Sequence, residues 1–438
     1  MRKTILTLIS VLSLLSAFGQ SADELIGSAI NQQHWNELRI LYSQRGNELS
    51  DPTLNVLSRF LINHVYNRPD SAIYYGAELL NKHATNLGSL TGSVVAFMAY
   101  NFEKVNDLKN AQGILKQYNE ALQAAGQPAD PVILAYENQY RALDEKGGFS
   151  IIRPQKEVCI PISFLDSKEK PGLIFVNTQI GGQTYRTIYD TGAGENIISK
   201  DIAEKLGLPI YSFEGLVIAG VGLQATSFTI VDSLQLGDIT YKNVPFQVVD
   251  FHTGNKEADT EMEKIGFNCI LGVQSMLPLG EIHFDFEKKM MTIPAQLSIS
   301  PESAPNMFFT QSKTLGINVW DKHSGQQLYG LLDTGGSIST LTAKYYYEHP
   351  TLFGGMISND SVCLAGVGGT HTIKTISTSW AYSVDGKHFF EEPVTVNTTT
   401  DGKGEEGFDF LFGLPSLTCH NRVTINFKVT MFANIDSG

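Results

Sequence analysis

Two short stretches of the 438-residue chain carry side chains whose type and spacing suit proton-transfer chemistry: Asp190-Thr191-Gly192 and Asp333-Thr334-Gly335. Each follows an apolar pair, Ile188-Tyr189 in one case and Leu331-Leu332 in the other. Two carboxyl groups brought to about 3 Å cannot both ionise, so such a pair holds one proton and titrates as a unit. One member then takes a proton from water while the other gives one to a carbonyl oxygen. An amide bond hydrolyses this way with no metal, cofactor or covalent intermediate. Asp190 and Asp333 are the candidate pair. Gly192 and Gly335 are expected to permit the tight turn that presents each carboxyl, with their amides as donors to it. A lone Asp-Thr-Gly carries little weight, because the same residues turn an ordinary hairpin in a β-rich binding module.

Repetition gives the two stretches their weight. Ala219-Gly220-Val221-Gly222 returns as Ala365-Gly366-Val367-Gly368-Gly369, and Ile270-Leu271-Gly272 returns as Leu411-Phe412-Gly413. Ile282-His283-Phe284-Asp285-Phe286 returns as Val423-Thr424-Ile425-Asn426-Phe427. Taken with the aspartates, counterparts lie 143, 146, 141 and 141 residues apart. Four landmarks in one order at a nearly constant offset mark an internal duplication.

The elements that must position these residues are short β-branched and aromatic runs broken by Gly, Asn and Asp, the pattern of an all-β domain. Leu173-Ile174-Phe175-Val176, Phe228-Thr229-Ile230-Val231 and Val244 to Val249 are examples. Ser199 and Thr342 are placed to cap short helices over 202–206 and 343–348, the first ending at Gly207. Gly220-Val221-Gly222 and Gly366-Val367-Gly368 fall where a hairpin tip would fold over a bound ligand, although an ordinary turn fits them equally well. Before Gly147-Gly148 the apolar residues recur at helical spacing, as in Leu54, Leu57, Leu61 and Val65, with Pro52, Pro69, Pro128 and Pro131 at helix starts. The expected organisation is a leader over 1–20, an all-α domain over 21–148, and β halves over 151–297 and 306–438, divided by a loop-forming stretch from Pro294 to Pro305. The helical region weakly resembles tetratricopeptide-type arrays, and a plain bundle serves equally well.

Across both halves, from about 155 to 435, the repeated motifs resemble the pepsin-like and retroviral-type (retropepsin-like) aspartic peptidases. The resemblance implies an all-β bilobal acid-protease domain in which the two loops meet across a pseudo-two-fold axis. It implies catalysis by Asp190 and Asp333 in a single chain acting on protein or peptide substrates. Thr191 and Thr334 would hydrogen-bond across to the opposite loop. Ile270-Leu271 and Leu411-Phe412 would pack beneath the loops, with Gly272 and Gly413 allowing close backbone approach. The flap tyrosine of pepsin has no counterpart, and Glu195 is a candidate substrate contact by analogy with retroviral members. Pepsin-type loops also place a hydroxyl residue after the glycine, whereas this chain has Ala193 and Gly336. Fewer donors to the carboxyls imply a higher pKa for the pair and a pH optimum less acidic than a gastric enzyme shows, unless Ser337 substitutes as donor.

Composition narrows the remaining choices. Lys and Arg total 32 against 45 Asp and Glu, a formal charge of -13 that argues against nucleic acid as partner. Met1-Arg2-Lys3, the apolar run Ile5 to Leu15 and Ala17-Phe18-Gly19 have the three-part build of a secretory signal. The expectation is therefore an exported protein, periplasmic or secreted, with no membrane span once the leader is removed. Cys159, Cys269, Cys363 and Cys419 form no Cys-x-x-Cys pair, so zinc knuckles are disfavoured; disulfides and four buried thiols are equally good readings. The ten His show no metal-binding grouping and read as surface or satisfied core residues, and no P-loop or Gly-x-Ser-x-Gly elbow occurs. Trp35, Trp320 and Trp380 read as core or groove aromatics. The helical domain would recruit substrate, shield the cleft or dock a partner. The competing reading is a catalytically silent peptide receptor with a helical scaffold.

Overall fold

The computed structural model describes residues 20–434, apart from 166–171, 214–216, 220–222, 253–255, 267, 301, 357–359, 367–368 and 400–406. The leader expected over 1–20 therefore lies outside the described residues except for Gln20, as do Gly220, Val221, Gly222, Val367 and Gly368. Two compact units divide the chain, residues 1–145 and 146–438.

The first unit is all-α, with its longer helices at Ala22–Asn31, Trp35–Arg45, Pro52–Val65, Pro69–Lys82, Thr91–Lys104, Leu108–Ala124 and Pro131–Glu145. Their starts follow from local chemistry. Ser21 and Glu24 form a reciprocal capping box, and the Asp51 carboxylate accepts from the amides of Thr53 and Leu54 ahead of Pro52 at the first helical position. Pro128 does not start a helix; it lies in the irregular stretch between the turn at 125–126 and Pro131. Leu57, Phe60, Leu61 and Val65 line one face and are buried.

The second unit is β-rich. Six strands close a ring in the order Ile174–Ile180, Gln183–Tyr189, Cys269–Leu271, Ile197–Ser199, Ile239–Val249, Ser227–Leu236 and back to Ile174–Ile180 through Thr178↔Leu236. A second six-strand ring runs Leu315–Asp321, Gln327–Leu332, Phe410–Phe412, Thr340–Leu341, Lys387–Asn397, Gly369–Val384 and closes through Trp320↔Ser383. Closure removes most exposed sheet edges. Alternation accounts for the packing: Val176, Thr178 and Ile180 point inward while Asn177 and Gln179 are exposed. The last pair of sequence landmarks come together. Glu281–Asp285 pairs antiparallel with Arg422–Asn426, Ile282 opposite Ile425 and Phe284 opposite Val423, at the centre of a five-stranded sheet built from both sequence halves. One continuous apolar core runs through this unit, including Tyr241, Phe246, Phe284, Trp380 and Phe412.

Three expectations need correction. Trp320 is 48% exposed, unlike the buried Trp35 and Trp380, because it sits on the outer face of its strand. Of the cysteines only Cys269 is buried; Cys159, Cys363 and Cys419 are exposed. His420 is buried among aromatic rings, and among the described residues neither of its ring nitrogens has a hydrogen-bond partner. It is therefore a core histidine but not a satisfied one.

Candidate active site

Each candidate aspartate sits where a ring strand ends. Gln183–Tyr189 leads into Asp190 and Gln327–Leu332 leads into Asp333. The apolar-apolar-Gly segments are the strands beside them: Ile270 and Leu271 pair in parallel with Ile188 and Tyr189, and Leu411 and Phe412 with Leu331 and Leu332. The amide of Asp190 donates to the Leu271 carbonyl at 3.0 Å and that of Asp333 to the Phe412 carbonyl at 3.0 Å. A central strand therefore fixes the backbone height of each carboxyl.

Gly272 and Gly413 serve close approach, as the sequence implies. A Cβ on Gly272 would lie 2.5 Å from the carbonyl oxygens of Ala193 and Glu195, and one on Gly413 would collide with the carbonyl of Ile338. The two turns are stitched to the aspartate loops by Val273 N–H to the Ala193 carbonyl (2.8 Å) and Leu414 N–H to the Gly336 carbonyl (2.9 Å).

The loops meet. Thr191 Oγ1 donates to the carbonyl of Leu332 (2.7 Å) and accepts from the amide of Thr334 (3.0 Å). Thr334 Oγ1 donates to the carbonyl of Tyr189 (2.7 Å) and accepts from the amide of Thr191 (2.9 Å). All these groups are buried. The Gly192 amide donates to Asp190 Oδ1 at 2.7 Å and the Gly335 amide to Asp333 Oδ1 at 2.9 Å.

The reason for glycine at these two positions differs from the expected one. Neither Gly192 nor Gly335 has the positive φ that would demand it. Space is the cause: a Cβ on Gly192 would lie 2.5 Å from Asp333 Oδ1, and one on Gly335 would lie 2.5 Å from both Asp190 carboxyl oxygens. Each loop leaves room for the opposite loop's aspartate.

The carboxyl groups of Asp190 and Asp333 stand together, close enough that one Cβ on Gly192 would touch Oδ1 of both, and each shifts the other's titration. Burial, then the neighbouring Asp190 charge, holds Asp333 well above the ordinary carboxylate range. Burial also raises Asp190, against the lowering effect of hydrogen bonds from Asp333 and the loop amides. Such a pair keeps one proton where isolated carboxylates would keep none. Both residues retain partial solvent exposure.

Other expected residues behave differently. Glu195 is held by Lys313 Nζ at 2.7 Å and by Gln247 Nε2 at 2.8 Å, and its neighbour Gly194 lies against the Ser312 carbonyl. Its carboxylate thus ties the Asp190 loop to the turn over 310–314. Ser337 is exposed. The strands that lead to the Gly-rich tips are paired, Val217–Ala219 with Leu223–Ala225 and Asp360–Gly366 with Gly369–Val384, where Gly366 faces Gly369. Ser199 and Thr342 cap their helices through the amides of Ile202 and Tyr345.

Residues not singled out from sequence support the loops from behind. Asn196 is fully buried; its Oδ1 accepts from the Gly272 amide (3.1 Å) and from Ser275 Oγ (2.8 Å), and its Nδ2 donates to the Pro245 carbonyl (3.0 Å). Ser339, Ser416 and Glu391 make a buried polar cluster behind the other loop. The signal in sequence was faint: Asn196 and Ser339 each stand six residues after an aspartate.

The chain matches no curated protein in an overall comparison. Residues 176–274, which contain Asp190-Thr191-Gly192 and Ile270-Leu271-Gly272, match the family model described as aspartyl protease.

Proposed function

We propose that this chain is an aspartic endopeptidase that hydrolyses peptide bonds with water activated between Asp190 and Asp333. The observation that carries the reading is the reciprocal Thr191–Thr334 lock with the two carboxyls brought together between the loops. The family match over 176–274 supports a protease-type activity. In this reading the two β rings are lobes related by a pseudo-two-fold axis, and the substrate is a protein or peptide lying extended in the cleft between them.

The reaction balances within the pair. The ionised carboxylate accepts a proton from water as its oxygen bonds to the scissile carbon, while the protonated partner gives its proton to the carbonyl oxygen. The tetrahedral diol then breaks its C–N bond as the first carboxyl passes its proton to the departing nitrogen. A proton from the diol returns to the second carboxylate. The shared proton belongs to the pair: whichever of Asp190 and Asp333 carries it is the acid of the first step, and the other is the base. The leader over 1–20 makes export part of the proposal.

Cleavage of a denatured protein by wild type, Asp190→Asn and Asp333→Asn, with and without a pepstatin-type inhibitor, tests the assignment. Loss of cleavage in both variants supports it. Equal behaviour of wild type and variants, with peptide binding retained, would instead establish a silent receptor.

A further inference from the structure

The two aspartate loops are braced by different chemistry. Behind Asp190 one carboxamide suffices: Asn196 Oδ1 reaches both the Gly272 amide and Ser275 Oγ. Six residues after Asp333 stands Ser339, whose side chain is too short to span the same gap. Ser416, the residue 141 positions after Ser275, approaches instead. Its amide donates to Ser339 Oγ (3.0 Å), its own Oγ lies 2.6 Å from Ser339 Oγ, and it also hydrogen-bonds Glu391 Oε2. Ser339, Ser416 and Glu391 are 4%, 0% and 3% exposed.

Proton counting orders this cluster. Ser416 has one hydroxyl proton, and a carboxyl oxygen is a better acceptor than a hydroxyl. Ser416 therefore donates to Glu391, and Ser339 donates to Ser416 or to the Gly413 carbonyl 3.5 Å away. The chain ends on the backbone that carries Asp333: the Leu414 amide holds the Gly336 carbonyl, and Gly413 packs flush against Ile338 and Gly336. Tyr382 is a titratable group beside Glu391, and Asp190 is a charged group facing Asp333.

We propose that Glu391 is a positioning residue for the second aspartate loop, acting through Ser416 and Ser339 to hold the 336–339 backbone and hence Asp333 in register with Asp190. The inference rests on the proteolytic reading for its kinetic readout but not for its spectroscopic one. It also predicts interchangeability: an asparagine at 339 supplies from one side chain what Ser339, Ser416 and Glu391 supply together.

The experiment uses the full chain with Glu391→Ala, Glu391→Gln and the double variant Ser339→Asn/Glu391→Ala. Thermal melting and near-ultraviolet circular dichroism establish the folded fraction of each. Cleavage of a denatured protein is followed for kcat and KM, and the Asp333 carboxyl is titrated by carbon-13 NMR, assigned with Asp333→Asn. Glu391→Ala is expected to lower kcat about tenfold or more with KM nearly unchanged, the signature of a displaced reacting group. It should also move the Asp333 titration, Glu391→Gln should do so less, and the double variant should recover most of both effects. A Glu391→Ala protein that melts earlier yet keeps wild-type kcat per folded molecule and an unmoved Asp333 titration would overturn the proposal. If wild type cleaves nothing, the carbon-13 titration still decides the positioning role, so the two failures are distinguishable.

Discussion

Thr191 and Thr334 hold each other's backbones: each hydroxyl accepts the other's amide and donates to the carbonyl that precedes the other's aspartate. Four buried hydrogen bonds therefore depend on two side chains. Threonine to valine keeps the shape and removes all of one side chain's bonds. Each single variant should lose about 1–3 kcal/mol for every buried group left unpaired. The two losses should be non-additive, since the second substitution finds the lock already open. Threonine to serine at either position should be mild. Urea unfolding of the four proteins in a double-mutant cycle checks this.

Gly192 and Gly335 offer a test in which the backbone conformation is not the variable. Neither requires a left-handed φ, so an alanine is tolerable to the chain and intolerable only to the opposing carboxyl. Gly192→Ala and Gly335→Ala should cost about 1–3 kcal/mol of stability as overpacking does. Cleavage should fall about a hundredfold, as displacement of a reacting group by an ångström does. Equal loss of folding and activity would mean that the clash is relieved by unfolding the loop instead.

Asp333 titrates well above its unfolded value because burial and the Asp190 charge oppose ionisation. The unfolded chain releases that proton near pH 3.9 while the folded chain keeps it. The stabilising contribution is therefore complete below pH 3.9 and lost as pH rises through the folded pKa. Asp333→Asn should then be more stable than wild type at pH 7 and no more stable at pH 3, while cleaving at least about a thousandfold more slowly. Melting temperatures at the two pH values decide it. With Ala193 and Gly336 in place of hydroxyl donors, the cleavage profile should peak well above pH 2.

What could be read from the chain alone follows the range of the interactions. An Asp-Thr-Gly loop, a capping serine or an apolar-apolar-Gly strand carries its meaning within a few residues, and these appeared where expected. Asn196 reaches Gly272 and Ser275, Lys313 reaches Glu195, and Glu281 reaches Asn426, over separations of 76 to 145 residues. No local pattern distinguishes such residues from surface polar ones. The collision that explains Gly192 is likewise invisible until two loops 143 residues apart are superposed in space.

Glu281 illustrates a long-range role with a stability consequence. Burial raises its carboxyl, but hydrogen bonds from His283, Ser298 and Asn426 outweigh that and hold it at about 2. The amides of Ser298 and Ile299 also donate to it, at 2.8 and 3.2 Å, so one side chain pins the stretch joining the sequence halves to the shared sheet. Its contribution is present above the unfolded value near 4.5 and lost as pH falls through about 2. Glu281→Ala should cost on the order of 3–5 kcal/mol, measured by denaturant unfolding at pH 7. Limited proteolysis should then cut between 294 and 305.

His420 adds to the loss of stability on the acid side. Its ring lies 3.9 Å from that of Phe389, 5.3 Å from Phe432 and 5.8 Å from Phe412, and neither nitrogen has a partner among the described residues. Burial in this cage, reinforced by Lys387, lowers its pKa from 6.5 to about 3. The unfolded chain takes up a proton near pH 6.5 that the folded chain refuses until about 3. Stability therefore declines across that window as the solution is acidified, at about 1.4 kcal/mol per pH unit from this group. His420→Phe fills the cage without a titratable nitrogen and should flatten the decline between pH 6 and 3 while leaving cleavage at pH 6 unchanged. Wild type and His420→Phe losing stability in parallel between pH 6 and 3 would show that the histidine is not the group responsible.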